Sequence, residues 1–105
     1  MGEGYVYLLY EDNDESRYKI GSTRQNDINK RIKQLQTGNP NHILIKSSFK
    51  TDKPFKLEKM LHNRFESVRV NGEWFELNKR DVEAFKGICE QYQNIIDSLD
   101  ENPFF

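Results

Sequence analysis

Glu58 and His62 stand four residues apart, a spacing that puts both side chains on one face of a helix. A carboxylate so placed can hold a hydrated divalent cation. An imidazole beside it can contact a phosphate or protonate a leaving group near neutral pH. The same spacing also suits an exposed ion pair with Lys59 nearby, or a histidine that only caps or packs. Arg31 offers a planar fork of N–H donors that can grip one phosphate at two points, a geometry lysine lacks. Between Lys30 and Lys33 it reads equally as a solvated helix arginine. Hydrolysis of a phosphodiester needs groups of these kinds: an activated water, a cation against growing phosphoryl charge, and relief for the leaving oxygen. His42 has no identifiable partner, and the two histidines do not form the HExxH spacing of a zinc site. The lone Cys89 excludes an internal disulfide and a multi-cysteine zinc site, and its apolar helical spacing suits simple packing.

Such groups need rigid elements to hold them, and the residue pattern supplies strands and helices in alternation. Tyr5-Val6-Tyr7-Leu8-Leu9-Tyr10 reads as a buried strand, and Arg17-Tyr18-Lys19-Ile20-Gly21 as its hairpin partner across a polar turn. In this setting Tyr7 is by default a core aromatic. From Asp27, a good N-cap, Ile28, Ile32 and Leu35 recur at helical spacing until Gly38, expected to end the helix in a left-handed conformation. Ile43 to Phe49 predicts a third strand. Thr51 or Asp52 caps a second helix with Pro54 in its first turn and a stripe of Leu57, Leu61 and Phe65. Val68 to Leu77 is extended, turning at Asn71-Gly72. Asn78 then caps a last helix lined by Val82, Phe85, Ile88, Cys89, Tyr92, Ile95, Ile96 and Leu99. The expected class is α+β: a small, mainly antiparallel three-stranded sheet flanked by helices, with an extra C-terminal helix over about 78–99.

The chain of 105 residues suits one domain, with its core over about 4–77. Its net charge of −1 hides a segregation. Residues 17–80 carry fifteen Lys or Arg against six Asp or Glu, while both flanking segments are acidic. A basic face opposed by acidic ones follows, unless the charges are only a mixed solvated surface. No apolar run approaches the roughly 20 residues that span a bilayer, and the first residues lack a signal-peptide pattern. Gly2 has no support as a myristoylation site. The expected setting is intracellular and soluble: cytoplasmic, or nuclear in a eukaryotic cell.

Taken in order, Tyr5-Val6-Tyr7, Lys19-Ile20-Gly21, Arg31 on the first helix and Glu58 on the second form a pattern that resembles the GIY-YIG nuclease family. Tyr7 matches the tyrosine of its first motif while Tyr5 replaces the glycine. Lys19 stands where the second motif has tyrosine, as in the small phage- and bacterial-type branch that carries KIG. Ser22-Thr23, Lys30-Arg31, the segment Leu57 to Phe65 and Gly72-Glu73-Trp74-Phe75 also fit that branch. The resemblance spans about residues 4–77 and leaves out the last helix.

The resemblance implies a metal-dependent endonuclease acting on DNA, with Glu58 as the ligand of Mg²⁺ or Mn²⁺ and Arg31 on the scissile phosphate. It gives Tyr7 the attacking water to orient or deprotonate, Lys19 as the cation that supports it, and His62 an auxiliary place near the phosphate. Phosphate contacts are expected from Lys30, Lys33, Lys46, Lys50, Lys53, Lys56, Lys59 and Arg64, with sequence specificity left to a homodimer or a partner protein. Leu35 stands where the family often has a further His or Tyr, and neither Asn71 nor Asn78 aligns firmly with its asparagine. Two other functions fit the same residues: a non-catalytic nucleic-acid-binding module, and a protein-interaction domain built on the acidic last helix.

Overall fold

Alternation in the first strand, β1 (Gly4–Glu11), sends Val6 and Leu8 to one side and Tyr7 and Leu9 to the other. All four are buried, so β1 has to be covered on both faces. The computed structural model describes residues 3–101 and shows how. The expectation for Gly2 lies outside the described residues. β1 pairs antiparallel with β2 (Asp14–Thr23) on one edge and with β3 (Ile43–Thr51) on the other. The acidic segment after Tyr10 is mostly strand, and the turn shrinks to Asp12-Asn13.

Two further strands, β4 (Arg69–Asn71) and β5 (Trp74–Glu76), extend the sheet to the order β3-β1-β2-β5-β4, so the expected three strands are five. Each added strand is three residues long, too short for alternation to declare it in sequence. They exist because Gly72, at φ 48°, turns the chain back and the free edge of β2 offers hydrogen-bonding partners. Just before them, Glu66–Val68 forms a single 3₁₀ turn in place of the strand start expected at Val68.

Helix α1 (Ile28–Thr37) begins where the Asp27 carboxylate accepts from the Asn29 N–H at 3.0 Å. It ends at Gly38 without the expected left-handed residue: φ there is −96°. Ile28, Ile32 and Leu35 pack on Tyr7, Leu9 and Ile43, covering one face of the sheet. On the other face lie α2 (Pro54–Arg64) and α3 (Lys79–Glu101). The residue before α2 is Lys53, which gives no side-chain cap; Thr51 Oγ1 instead accepts from the Lys53 N–H at 3.0 Å. Leu57 and Leu61 are fully buried with Val6, Leu8 and Ile20, each such side chain contributing about 1.5–3 kcal/mol.

Asn78 opens α3 reciprocally with Asp81. Its Oδ1 accepts from the Asp81 N–H at 2.8 Å, and the Asp81 carboxylate accepts from the Asn78 N–H at 3.3 Å. Val82, Phe85, Ile88, Cys89 and Ile96 are buried as expected, but Ile95 is 46% exposed because it lies a hundred degrees around the helix from Ile96. Burial, and secondarily Glu90, pushes the Cys89 thiol up to about 12, which keeps it an inert packing group.

Candidate functional site

The site forms where the sheet stops being continuous. β5 pairs with only Arg17, Tyr18 and Lys19 of β2. At the next residue, Ile20 donates its N–H to the Glu73 carbonyl at 3.0 Å, but its own carbonyl accepts from His62 Nε2 at 2.8 Å. A carbonyl only accepts, so Nε2 carries hydrogen. His62 therefore takes the place of a further strand residue and ends the ladder. Its ring rests against Phe75, 5.0 Å between centroids. The imidazole packs and ties α2 to β2, while its Nε2 is also 3.3 Å from Glu58 Oε2.

Glu58 is thus held at both oxygens, since Oε1 accepts from Ser22 Oγ. Its side chain is 18% exposed. Burial raises its carboxyl above the ordinary carboxylate range. The Ser22 bond opposes that rise, Glu73 adds to it, and His62 and Lys19 oppose it.

Tyr7, Lys19 and Gly21 belong to the opposite, α1-covered face. Tyr7 lies over its cross-strand partner Gly21 so closely that a Cβ there would sit 2.6–2.8 Å from the phenol ring and hydroxyl. Only glycine leaves that room. Arg31 on α1 donates to the Tyr7 hydroxyl. A hydroxyl that accepts in this way still has its own proton to donate. Burial raises the Tyr7 pKa, outweighing the Arg31 bond and charge, with Glu73 and Glu58 also raising it. Tyr7 therefore stays a neutral phenol at neutral pH, and the role of water-deprotonating base does not suit it. Lys19 Nζ lies 3.7 Å from Glu73 Oε1 and 5.8 Å from the centre of the Trp74 ring.

The five residues expected at the site, Tyr7, Lys19, Arg31, Glu58 and His62, thus gather at the open edge of β2, those of α1 and α2 reaching it from opposite faces. Two buried side-chain atoms lack a hydrogen-bond partner among the described residues: Arg31 Nε and Gln25 Oε1. Sequence reasoning gave no role to Ser22 and Glu73. Glu73 is the second residue of the two-residue turn, Gly72-Glu73, that joins β4 to β5.

The basic side chains do not form one stripe. Lys30 and Lys33 are exposed on α1, and Lys56 and Lys59 on α2, flanking the edge from either side. Lys50 lies on β3 and pairs with Glu3 at 3.5 Å. Lys46, also on β3, borders a separate concavity with Tyr10, Tyr18 and Lys79. Arg64 bonds the Tyr92 hydroxyl at 3.2 Å. A concavity of about 660 Å³, lined by Ser16, Arg69, Val70 and Asp81 among others, shares no residue with the cluster.

Among the described residues no group of three or more His, Cys, Asp or Glu could hold a metal ion. The donor set is one carboxylate with lone pairs beyond those given to Ser22 and His62. That suits a Mg²⁺ completed by waters and substrate phosphate, and does not suit an all-protein cage.

The family model of the T5orf172 domain matches residues 4–90. The chain belongs to the T5orf172 domain family. This corrects the resemblance to the GIY-YIG nuclease family, which rested on short motifs in which Tyr5 and Lys19 already stood in place of the expected residues. It also brings the first half of α3 into the shared domain, where the resemblance ended at about residue 77. A relative, "Uncharacterized protein 460R" of Invertebrate iridescent virus 6, is 33% identical over 108 residues, which cover 97% of this chain and 46% of the relative. The T5orf172 chain thus spans less than half of that protein's length. No solved structure matches it.

Proposed function

We infer that this T5orf172 domain is a nuclease that hydrolyses DNA phosphodiester bonds with the help of a divalent cation. The observation that carries this reading is the buried Arg31 Nε–H without a partner, beside a Tyr7 hydroxyl that accepts from the same guanidinium. A buried donor left unsatisfied is costly, and a guanidinium with an N–H to spare has the chemistry to bind one phosphate oxygen. Glu58 sits within electrostatic reach of Tyr7, so the phosphate so held also faces a carboxylate.

Arg31 then binds and orients the scissile phosphate, and Tyr7, as a neutral phenol, donates to a phosphate oxygen or to the attacking water. Lys19, 3.7 Å from Glu73 and within electrostatic reach of Glu58, balances the charge of both carboxylates. Ser22 and His62 hold the Glu58 carboxylate in place. Glu58 would hold Mg²⁺ or Mn²⁺, which when bound supplies Lewis acidity toward the phosphate and a more acidic water.

Incubating supercoiled plasmid with the protein and Mg²⁺ or Mn²⁺, beside an EDTA control, tests the reading. Nicking is expected, lost with EDTA and reduced at least 100-fold by Glu58→Gln and by Arg31→Ala. Binding without metal-dependent nicking, unchanged in Glu58→Gln, would instead leave a DNA-binding module without catalysis.

A further inference from the structure

Phe55 is 56% exposed, the most of any large hydrophobic side chain among the described residues. It stands three residues before Glu58 on α2, one turn along the same side of the helix. Arg24 lies just past the end of β2, two residues beyond Ser22, and its guanidinium carbon is 5.2 Å from the centre of the Phe55 ring. Two rungs therefore join the end of β2 to α2: Ser22 to Glu58, and one turn away Arg24 to Phe55. The outer rung serves no core, since no buried cluster includes Phe55.

An exposed aromatic edged by a guanidinium, with exposed Lys56 and Lys59 on the same helix, matches what binds unpaired nucleobases. The base stacks on the ring or on the planar cation, and the lysines meet its backbone. A base within a duplex is already stacked on its neighbours and cannot offer its face. We propose that Phe55, with Arg24, stacks an unpaired base one helical turn from Glu58, making single-stranded, flapped or gapped DNA the preferred substrate class. This assignment rests on the DNA-cleaving reading above and adds the form of DNA to it.

The test measures binding in EDTA, where no cleavage occurs, using three DNAs of equal length: a single strand, a paired duplex, and a duplex with 2-aminopurine opposite an abasic site. The full chain is compared with Phe55→Ala and Phe55→Trp. Phe55→Ala is expected to weaken binding of the single strand and the abasic duplex by roughly tenfold, to leave the paired duplex within about twofold, and to abolish quenching of the 2-aminopurine. Phe55→Trp should keep both binding and quenching. Equal losses on all three DNAs, or undiminished binding and quenching in Phe55→Ala, overturn the proposal. Selective binding without nicking in Mg²⁺ would sink the catalytic reading and keep this one. Nicking with equal binding of all three DNAs would do the reverse.

Discussion

A carboxylate that is 18% exposed ionises less readily than one in water, and Glu58 is such a group. Its raised pKa makes the folded state bind the proton more tightly than the unfolded chain does. The stability this contributes is fully present below the unfolded value of 4.5 and is lost as the pH rises through the folded value. Glu58→Gln removes the charge. In EDTA its melting temperature should therefore exceed that of the parent protein by a few degrees at pH 7–8, and the gap should close below about pH 4. A constant gap across that range would place the origin of the effect elsewhere. A stabilising loss of function of this kind is the ordinary signature of a residue kept for chemistry. Tyr7 constrains its neighbour too, because the close approach of its ring reserves Gly21 as glycine.

Among the elements, the short β4–β5 hairpin has a large part in the site. It supplies Glu73 to Lys19, and by stopping at Lys19 it leaves Ile20 to His62. Gly72 holds the turn at φ 48°, where a side chain costs roughly 1–2 kcal/mol. Gly72→Ala should lower stability by about that amount and speed amide exchange in Trp74–Glu76 while leaving the β1–β3 pairing protected. Equal loosening of β1 would show that the hairpin is not a separate unit. The buried face of helix α2 was legible in sequence, since Leu57, Leu61 and Phe65 state it, while its start falls after Lys53 and not after Thr51 or Asp52. The hairpin's extended arms were legible too, with its turn one residue later than expected, at Gly72-Glu73. That the arms join the sheet was not, because their pairing depends on an edge supplied from fifty residues earlier.

At the scale of the molecule, the sheet separates α1 from α2 and α3, and no helix among the described residues is long and apolar enough to cross a membrane. The exposed lysines nearest the open edge lie on α1 and α2, while Lys50 sits two strands away with Glu3 as its partner. If the edge receives DNA, the slope of log affinity against log salt should fall by roughly 1 for each of Lys56→Gln and Lys59→Gln. Lys50→Gln should leave it unchanged, and equal effects of all three would point to diffuse attraction. The segregation of charge was readable from the chain. That it yields two flanking patches and scattered remnants was not, because a lysine's strand or helix says nothing of which side of the sheet it faces.

What the sequence determined by itself is local: the buried run from Tyr5 to Tyr10, the Asp27 and Asn78 caps, a turn at Gly72 and the apolar stripes of the helices. Each depends on residues within a few positions of one another, so the pattern is complete in the text of the chain. The tertiary structure alone decided that β5 pairs with β2 only as far as Lys19, that His62 takes the carbonyl of Ile20, and that Ser22 and Glu73 come close to Glu58. Those outcomes depend on desolvation and on the length of a neighbouring strand, properties created by residues distant in sequence and brought together only by folding.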